Sequence, residues 1–128
     1  MNHSSRHSIM VVDDEPIVGK RLKRLLEREG YAVETFTRGS QALEGLGRNR
    51  YDVIITDIMM GNVDGMMILE YVKSNYPDIP VIIITGYGKK EIAEEAYRKG
   101  VHSFIIKPFR IDELKAVVKE ALSGADKD

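Results

Sequence analysis

The sequence predicts an α/β three-layer sandwich around a five-stranded parallel sheet, and three observations carry that prediction. Four short apolar runs rich in β-branched residues stand at Ile9-Met10-Val11-Val12, Val53-Ile54-Ile55, Val81-Ile82-Ile83-Ile84 and Phe104-Ile105-Ile106. Continuous runs of this kind suit strands buried on both faces, as in a parallel sheet. Stretches with helical periodicity separate them, so the order is strand then helix, five times, and right-handed crossovers fold that order into three layers. The size agrees: 128 residues, with 19 basic against 20 acidic side chains and a net charge of −1, suit one domain.

Taken in order, the first run is a strand followed by a helix with Val18, Leu22, Leu25 and Leu26 on one stripe. Lys20, Arg21, Lys23, Arg24 and Arg28 occupy its other side, and Gly30 stops it. Such a basic face is either simply solvated or a docking surface. The next strand, Tyr31-Ala32-Val33-Glu34-Thr35-Phe36, alternates apolar and polar residues and is therefore placed at an edge. The helix over residues 41–48 contains Gly45 and Gly47, each costing about 1 kcal/mol relative to Ala, and should be short or frayed. After the third strand, the turn Asn62-Val63-Asp64-Gly65 opens a helix carrying Met66, Leu69, Tyr71 and Val72, which ends before Pro77. After the fourth, residues 89–99 offer only Ile92, Ala93, Ala96 and Tyr97 as an apolar face. With so little area to hold it, this helix is the candidate mobile element. The last helix has Asp112-Glu113 in its first turn and runs through Leu114, Val117, Val118 and Leu122 to Gly124. Residues 1–8 read as a disordered polar tail, 9–122 as the domain and 123–128 as a frayed end.

Composition excludes several classes. Without Cys there is no disulfide framework, thiolate zinc site or thiol redox motif. Near-balanced charge argues against a nucleic-acid or membrane field over the whole domain. No apolar run is long enough to cross a bilayer and none forms a signal-peptide core, so the expectation is a soluble cytoplasmic chain.

In folds of this kind ligands bind outside the carboxyl ends of the strands. There the sequence places Asp13, Asp14 and Glu15 after the first strand, Thr56-Asp57 at the third, Thr85 at the fourth and Lys107-Pro108 at the fifth. Oxygen ligands from a few carboxylates, completed by water and substrate oxygens, are what Mg²⁺ prefers. A hydroxyl and an ammonium beside them can bond and neutralise phosphoryl oxygens. Each residue also has a plainer reading. Asp13 or Asp14 suits a helix N-cap, Asp57 a turn, Thr85 a strand end, Lys107 a solvated side chain and Pro108 a helix stop. Their coincidence at one rim favours the site, because gathered carboxylates repel one another without a cation.

These residues, together with Met60, Asp64-Gly65, Thr85-Gly86 and Phe104-Ile105-Ile106-Lys107-Pro108-Phe109, closely resemble the receiver domain of bacterial two-component response regulators, from about Ile9 to Leu122. The resemblance implies a flavodoxin-like fold with strand order 2-1-3-4-5. It implies Asp57 as phosphoacceptor from a phosphohistidine of a sensor histidine kinase or phosphotransfer protein. Mg²⁺ would be held by Asp14, Asp57 and the backbone carbonyl of Met59, with Asp13 acting chiefly through water. Lys107 would pair with the phosphoryl oxygens across a cis Lys107-Pro108 bond. Thr85 would move toward the phosphoryl group and Phe104 would swing inward, shifting the face of the fourth helix, fifth strand and fifth helix. Such a chain is not an enzyme on external substrates but promotes its own phosphorylation and dephosphorylation.

Three departures from the family's pattern stand out. Gly61 replaces a usual Pro, which loosens the loop after Asp57. Met59 and Tyr87 are large residues at positions facing the phosphoryl group, which predicts slow self-dephosphorylation. After Leu122 the sequence holds only Ser123-Gly124-Ala125-Asp126-Lys127-Asp128, so no direct nucleic-acid binding is expected of it. It reads either as a stand-alone regulator or as a receiver cut from a longer protein, the downstream partner is unspecified, and a homodimer on phosphorylation stays open. Among competing functions, an aspartyl phosphatase wants Asp-x-Asp after the first strand, which Asp13-Asp14-Glu15 does not supply. Gly86-Tyr87-Gly88 lacks the third Gly of a dinucleotide loop. A degenerate receiver serving only as a phosphorylation-independent interaction module is the remaining alternative.

Overall fold

The computed structural model describes residues 6–58 and 60–126, in the order β1 (Ser8–Val12), α1 (Pro16–Glu27), β2 (Ala32–Phe36), α2 (Gly39–Arg48), β3 (Val53–Thr56), α3 (Gly65–Asn75), β4 (Val81–Thr85), α4 (Lys90–Arg98), β5 (Ser103–Ile106) and α5 (Ile111–Asp126). All neighbouring strands pair in parallel, in the order β2-β1-β3-β4-β5. This is the flavodoxin-like arrangement, with its switch of direction between β1 and β3.

Alternate strand residues feed two cores. Met10, Val12, Ile54, Val81 and Ile83 pack with Ala42, Leu46, Ile68, Leu69, Val72 and Ala96, which places α2, α3 and α4 on one face of the sheet. Ile9, Val11, Val53, Ile55, Ile82, Ile84 and Ile105 pack with Leu22, Leu26, Leu114, Val118, Ala121 and Leu122, which places α1 and α5 on the other. Strands covered on both sides need apolar residues at consecutive positions, which is why these runs do not alternate.

Four local features differ from the sequence reading. Order begins before Ile9: Ser8 opens β1 in register with Ala32, its amide donates to Asp52 Oδ2 at 2.8 Å, and the His7 carbonyl accepts the Ala32 amide at 2.9 Å. Of the expected tail, residues 1–5 lie outside the described residues. At the other end α5 continues past Leu122 and Gly124 to Asp126, because the buried Ala121 and Leu122 anchor its last turns; residues 127 and 128 lie outside the described residues. The helix α2 is a full ten residues despite its glycines. Gly45 is required there, since a Cβ would stand 2.8 Å from Phe36 Cζ and 3.4 Å from the Tyr51 hydroxyl. Finally, β5 is an edge strand whose Ile106 is 50% exposed, although its apolar run matches that of a central strand.

Candidate functional site

The carboxyl ends of β1, β3 and β5 converge on one cluster. The Asp13 amide donates to the Phe36 carbonyl at 3.0 Å and the Asp57 amide to the Val12 carbonyl at 3.0 Å, so both residues continue the parallel ladder by one step before the chain turns. Their carboxylates meet at Lys107, whose Nζ lies 3.3 Å from Asp13 Oδ2 and 3.1 Å from Asp57 Oδ2. The second oxygen of each carboxylate is held by the backbone: Asp13 Oδ1 accepts the Glu15 amide at 2.9 Å, and Asp57 Oδ1 the Ile58 amide at 2.6 Å. The Lys107-Pro108 peptide bond is cis.

Burial decides the electrostatics. Asp13 is only 4% exposed. That burial pushes its carboxyl above the ordinary 3.8; the Glu15 amide and Lys107 oppose the rise, and the charge of Asp57 adds to it. For Lys107 burial acts downward, but the hydrogen bond to Asp57 and the charges of Asp13 and Asp57 outweigh it and hold the ammonium above 10.5. One ammonium thus faces two carboxylates, leaving a net negative site.

Of the residues singled out from sequence, Asp13, Asp57 and Lys107 are brought into contact. Asp14 is exposed at the same rim, and among the described residues no three Asp, Glu or His side chains stand close enough to enclose a metal by themselves. Mg²⁺ needs no such cage: one or two carboxylates completed by water and phosphoryl oxygens suffice, and the donor set here is hard oxygen with surplus negative charge. Thr85 is 1% exposed, and its Oγ1 accepts the Tyr87 amide at 3.1 Å, within its own loop. Tyr87 is 45% exposed, with Lys89 Nζ 5.8 Å from its ring centroid. Phe104 is half-buried against the core under α4. Met59 lies outside the described residues, so neither its carbonyl nor its side chain is placed.

Two residues named in the sequence reading without a positioning role take one here. The buried Thr56 hydroxyl donates to the Asp57 carbonyl at 2.8 Å. Gly65, read as a turn residue, lets the start of α3 lie against that same carbonyl: a Cβ would stand 2.1 Å from Asp57 O. Its amide donates to the Ile58 carbonyl at 2.9 Å. The Asp64-Gly65 pair was visible in sequence, but Asp64 as the cap of α3, accepting the Met67 amide at 2.9 Å, accounts for it without reference to Asp57.

Comparison with known proteins identifies the family. A family model described as the response regulator receiver domain matches residues 9–119. The chain is 37% identical over 118 residues to the DNA-binding transcriptional regulator NtrC of Escherichia coli K12, a match covering 92% of this chain and 25% of that protein. It therefore spans about a quarter of the length of that curated relative. Among solved structures, a CheY-like response regulator receiver domain protein from Methanospirillum hungatei aligns with a TM-score of 0.92 at 28% identity, over 96% of this chain and 98% of that one. The response regulator TrrA from Thermotoga maritima, in complex with Mg²⁺ and beryllofluoride, aligns with a TM-score of 0.83 at 32% identity, over 91% and 99%.

Proposed function

The chain belongs to the family of two-component response-regulator receiver domains, and from that premise we propose that it is a phosphorylation switch whose acceptor is Asp57. The observation that carries the reading is the single ammonium of Lys107 spanning Asp13 Oδ2 and Asp57 Oδ2 at the carboxyl end of the sheet. An Asp57 carboxylate oxygen attacks the phosphorus of a phosphohistidine on a sensor kinase or phosphotransfer protein. A P–O bond forms, the P–N bond breaks, and the imidazole leaves with the electron pair and takes up a proton. Transfer of this kind depends on positioning and charge neutralisation rather than on a strong base.

Asp57 is positioned by Ile58 N on one oxygen, by Lys107 on the other and by Thr56 on its carbonyl. Mg²⁺, which the TrrA complex contains, would supply charge neutralisation here; Asp13, Asp14 and Asp57 would hold it, together with the Met59 carbonyl that the family resemblance implies. Lys107 then turns from carboxylate to phosphoryl oxygens. A groove of about 390 Å³ beside the site, between α1 and the loop after β5, is lined by Ile17, Arg21, Leu25, Pro108 and Phe109, and suits the kinase or phosphotransfer partner. Ile17 at its mouth is 79% exposed.

Incubation with Mg²⁺ and acetyl phosphate, read by intact mass, tests the assignment. The wild-type chain gains one phosphoryl group, a chelator prevents the gain, and Asp57→Asn shows none. An equal adduct on Asp57→Asn rejects Asp57 as acceptor; no adduct on the wild type rejects it too and leaves the interaction-module reading.

A further inference from the structure

The helix α4 is held to the sheet by very little apolar area. Ala96 is its one fully buried residue, and Ile92 and Ala93 are half-buried. Two polar contacts make up the difference. Lys99 Nζ on its C-cap lies 2.7 Å from Glu70 Oε2 on α3. The hydroxyl of Tyr97 accepts the backbone amide of Phe104 on β5 at 3.2 Å. Tyr97 is 54% exposed, so its ring buries little; the hydroxyl is what it contributes.

The direction of that amide gives the contact its meaning. Amides along a strand alternate between the two sides. The Lys107 amide donates to the Thr85 carbonyl of β4 at 2.9 Å, so the Phe104 amide, three residues earlier, faces away from β4. Since β5 ends the sheet, no strand lies on that side. Edge amides need a partner from outside the ladder, and here α4 supplies it, only while it stays where it is.

Both ends of α4 are thus tied to groups expected to move. Before its first turn, the Tyr87 amide rests on Thr85 Oγ1. Gly88 lies against Ile106 so closely that a Cβ would stand 2.6 Å from Ile106 Cδ1. In its last turn, Tyr97 holds the amide of Phe104 itself. We propose that Tyr97 is a latch on the unphosphorylated state, its hydroxyl coupling the position of α4 to the backbone of Phe104 and so setting how readily the switch turns. This rests on the acceptor reading above. When the Thr85 hydroxyl turns to a phosphoryl group, it releases the Tyr87 amide and loosens the start of α4. Displacement of α4 then breaks the Tyr97 bond, and that loss opposes the switched state.

The test uses the intact chain and Tyr97→Phe, which removes only the hydroxyl. Hydrogen exchange at the Phe104 amide, measured without any phosphoryl mimic, should accelerate about three- to tenfold, the span of one neutral hydrogen bond. Beryllofluoride with Mg²⁺ should bind about three- to tenfold more tightly, because the competent state gains population by the same factor. Lys99→Met, which removes the Glu70 ion pair but leaves the Tyr97 hydroxyl in place, should accelerate Phe104 exchange less than Tyr97→Phe does. Unchanged exchange in Tyr97→Phe, or equal acceleration in both variants, overturns the bond. Faster exchange with unchanged or weaker beryllofluoride binding overturns the latch. A wild type that binds no beryllofluoride overturns the acceptor reading and the latch's role together, while Phe104 exchange still reports the bond.

Discussion

Among the described residues Asp13 is the one charged side chain that is fully buried. Burial and the Asp57 charge work against its ionised form, and Lys107 and the Glu15 amide only partly offset them. Asp13→Asn keeps the shape and the acceptor for Glu15 while removing the charge. Urea denaturation at neutral pH should show it more stable than wild type by about 0.5–2 kcal/mol, the range typical of relieving a functional site; a lower midpoint at unchanged slope would contradict this. Under the proposed acceptor reading, Tyr87 and Met59 would shield the acyl phosphate from water. Phosphate-release measurements on Tyr87→Ala combined with Met59→Asn should give a half-life several-fold shorter than wild type, through easier access of water; an equal or longer one counts against shielding by these side chains. At this scale the sequence was most informative where chemistry is unusual: three acids and a Lys at strand ends. Thr56 and Gly65 were named from sequence, but their roles were not legible, because what they touch is the Asp57 carbonyl, and a contact with backbone leaves no mark on residue type.

Helix α2 shows where element-level rules are overridden. Propensity counts Gly45 and Gly47 as equal liabilities, yet packing separates them. Nothing lies within 4 Å of a Cβ at Gly47, whereas one at Gly45 would press on Phe36 of β2 at 2.8 Å. Gly47→Ala should therefore raise stability by about 0.5–1 kcal/mol, and Gly45→Ala should lower it by about 1–3 kcal/mol through overpacking. Thermal melts of the two variants check the opposite signs; two shifts in the same direction would mean that propensity alone governs this helix. The thin apolar face of α4 was legible from its periodicity. Its polar fastenings were not, because Glu70 and Phe104 come from other elements. The run in β5 likewise reads as a buried strand, since β-branched composition does not say how many neighbours a strand has.

For the whole molecule, the edge strand β2 is fastened to the centre through Tyr51, whose hydroxyl donates to Glu34 on β2 and accepts from Asn49 Nδ2 at 3.4 Å. Burial first, and then the bond to Glu34, hold its phenol above the ordinary 10.0. The unfolded chain loses this proton first as pH rises. The stabilisation is therefore fully present below pH 10.0 and lost as pH climbs through the higher folded value. Wild type should exceed Tyr51→Phe by about 1 kcal/mol at neutral pH, and urea titrations above pH 10.0 should show the gap closing; a gap independent of pH would assign the phenol no such role. No helix among the described residues is long and apolar enough to cross a membrane. The net charge of −1 conceals a local asymmetry, with an acidic rim at Asp13, Asp14 and Asp57 and a basic face on α1. The sequence by itself determined the fold class, the order of elements and the residues delivered to that rim. Each of these follows from local periodicity and from the fact that strand ends in such folds share one side. Only the tertiary structure decided that Lys107 bridges Asp13 and Asp57 while Asp14 stays exposed, that Gly65 and Thr56 fix the Asp57 backbone, and that Tyr97 holds the edge of β5. Those are distances between residues far apart in the chain, and packing sets them.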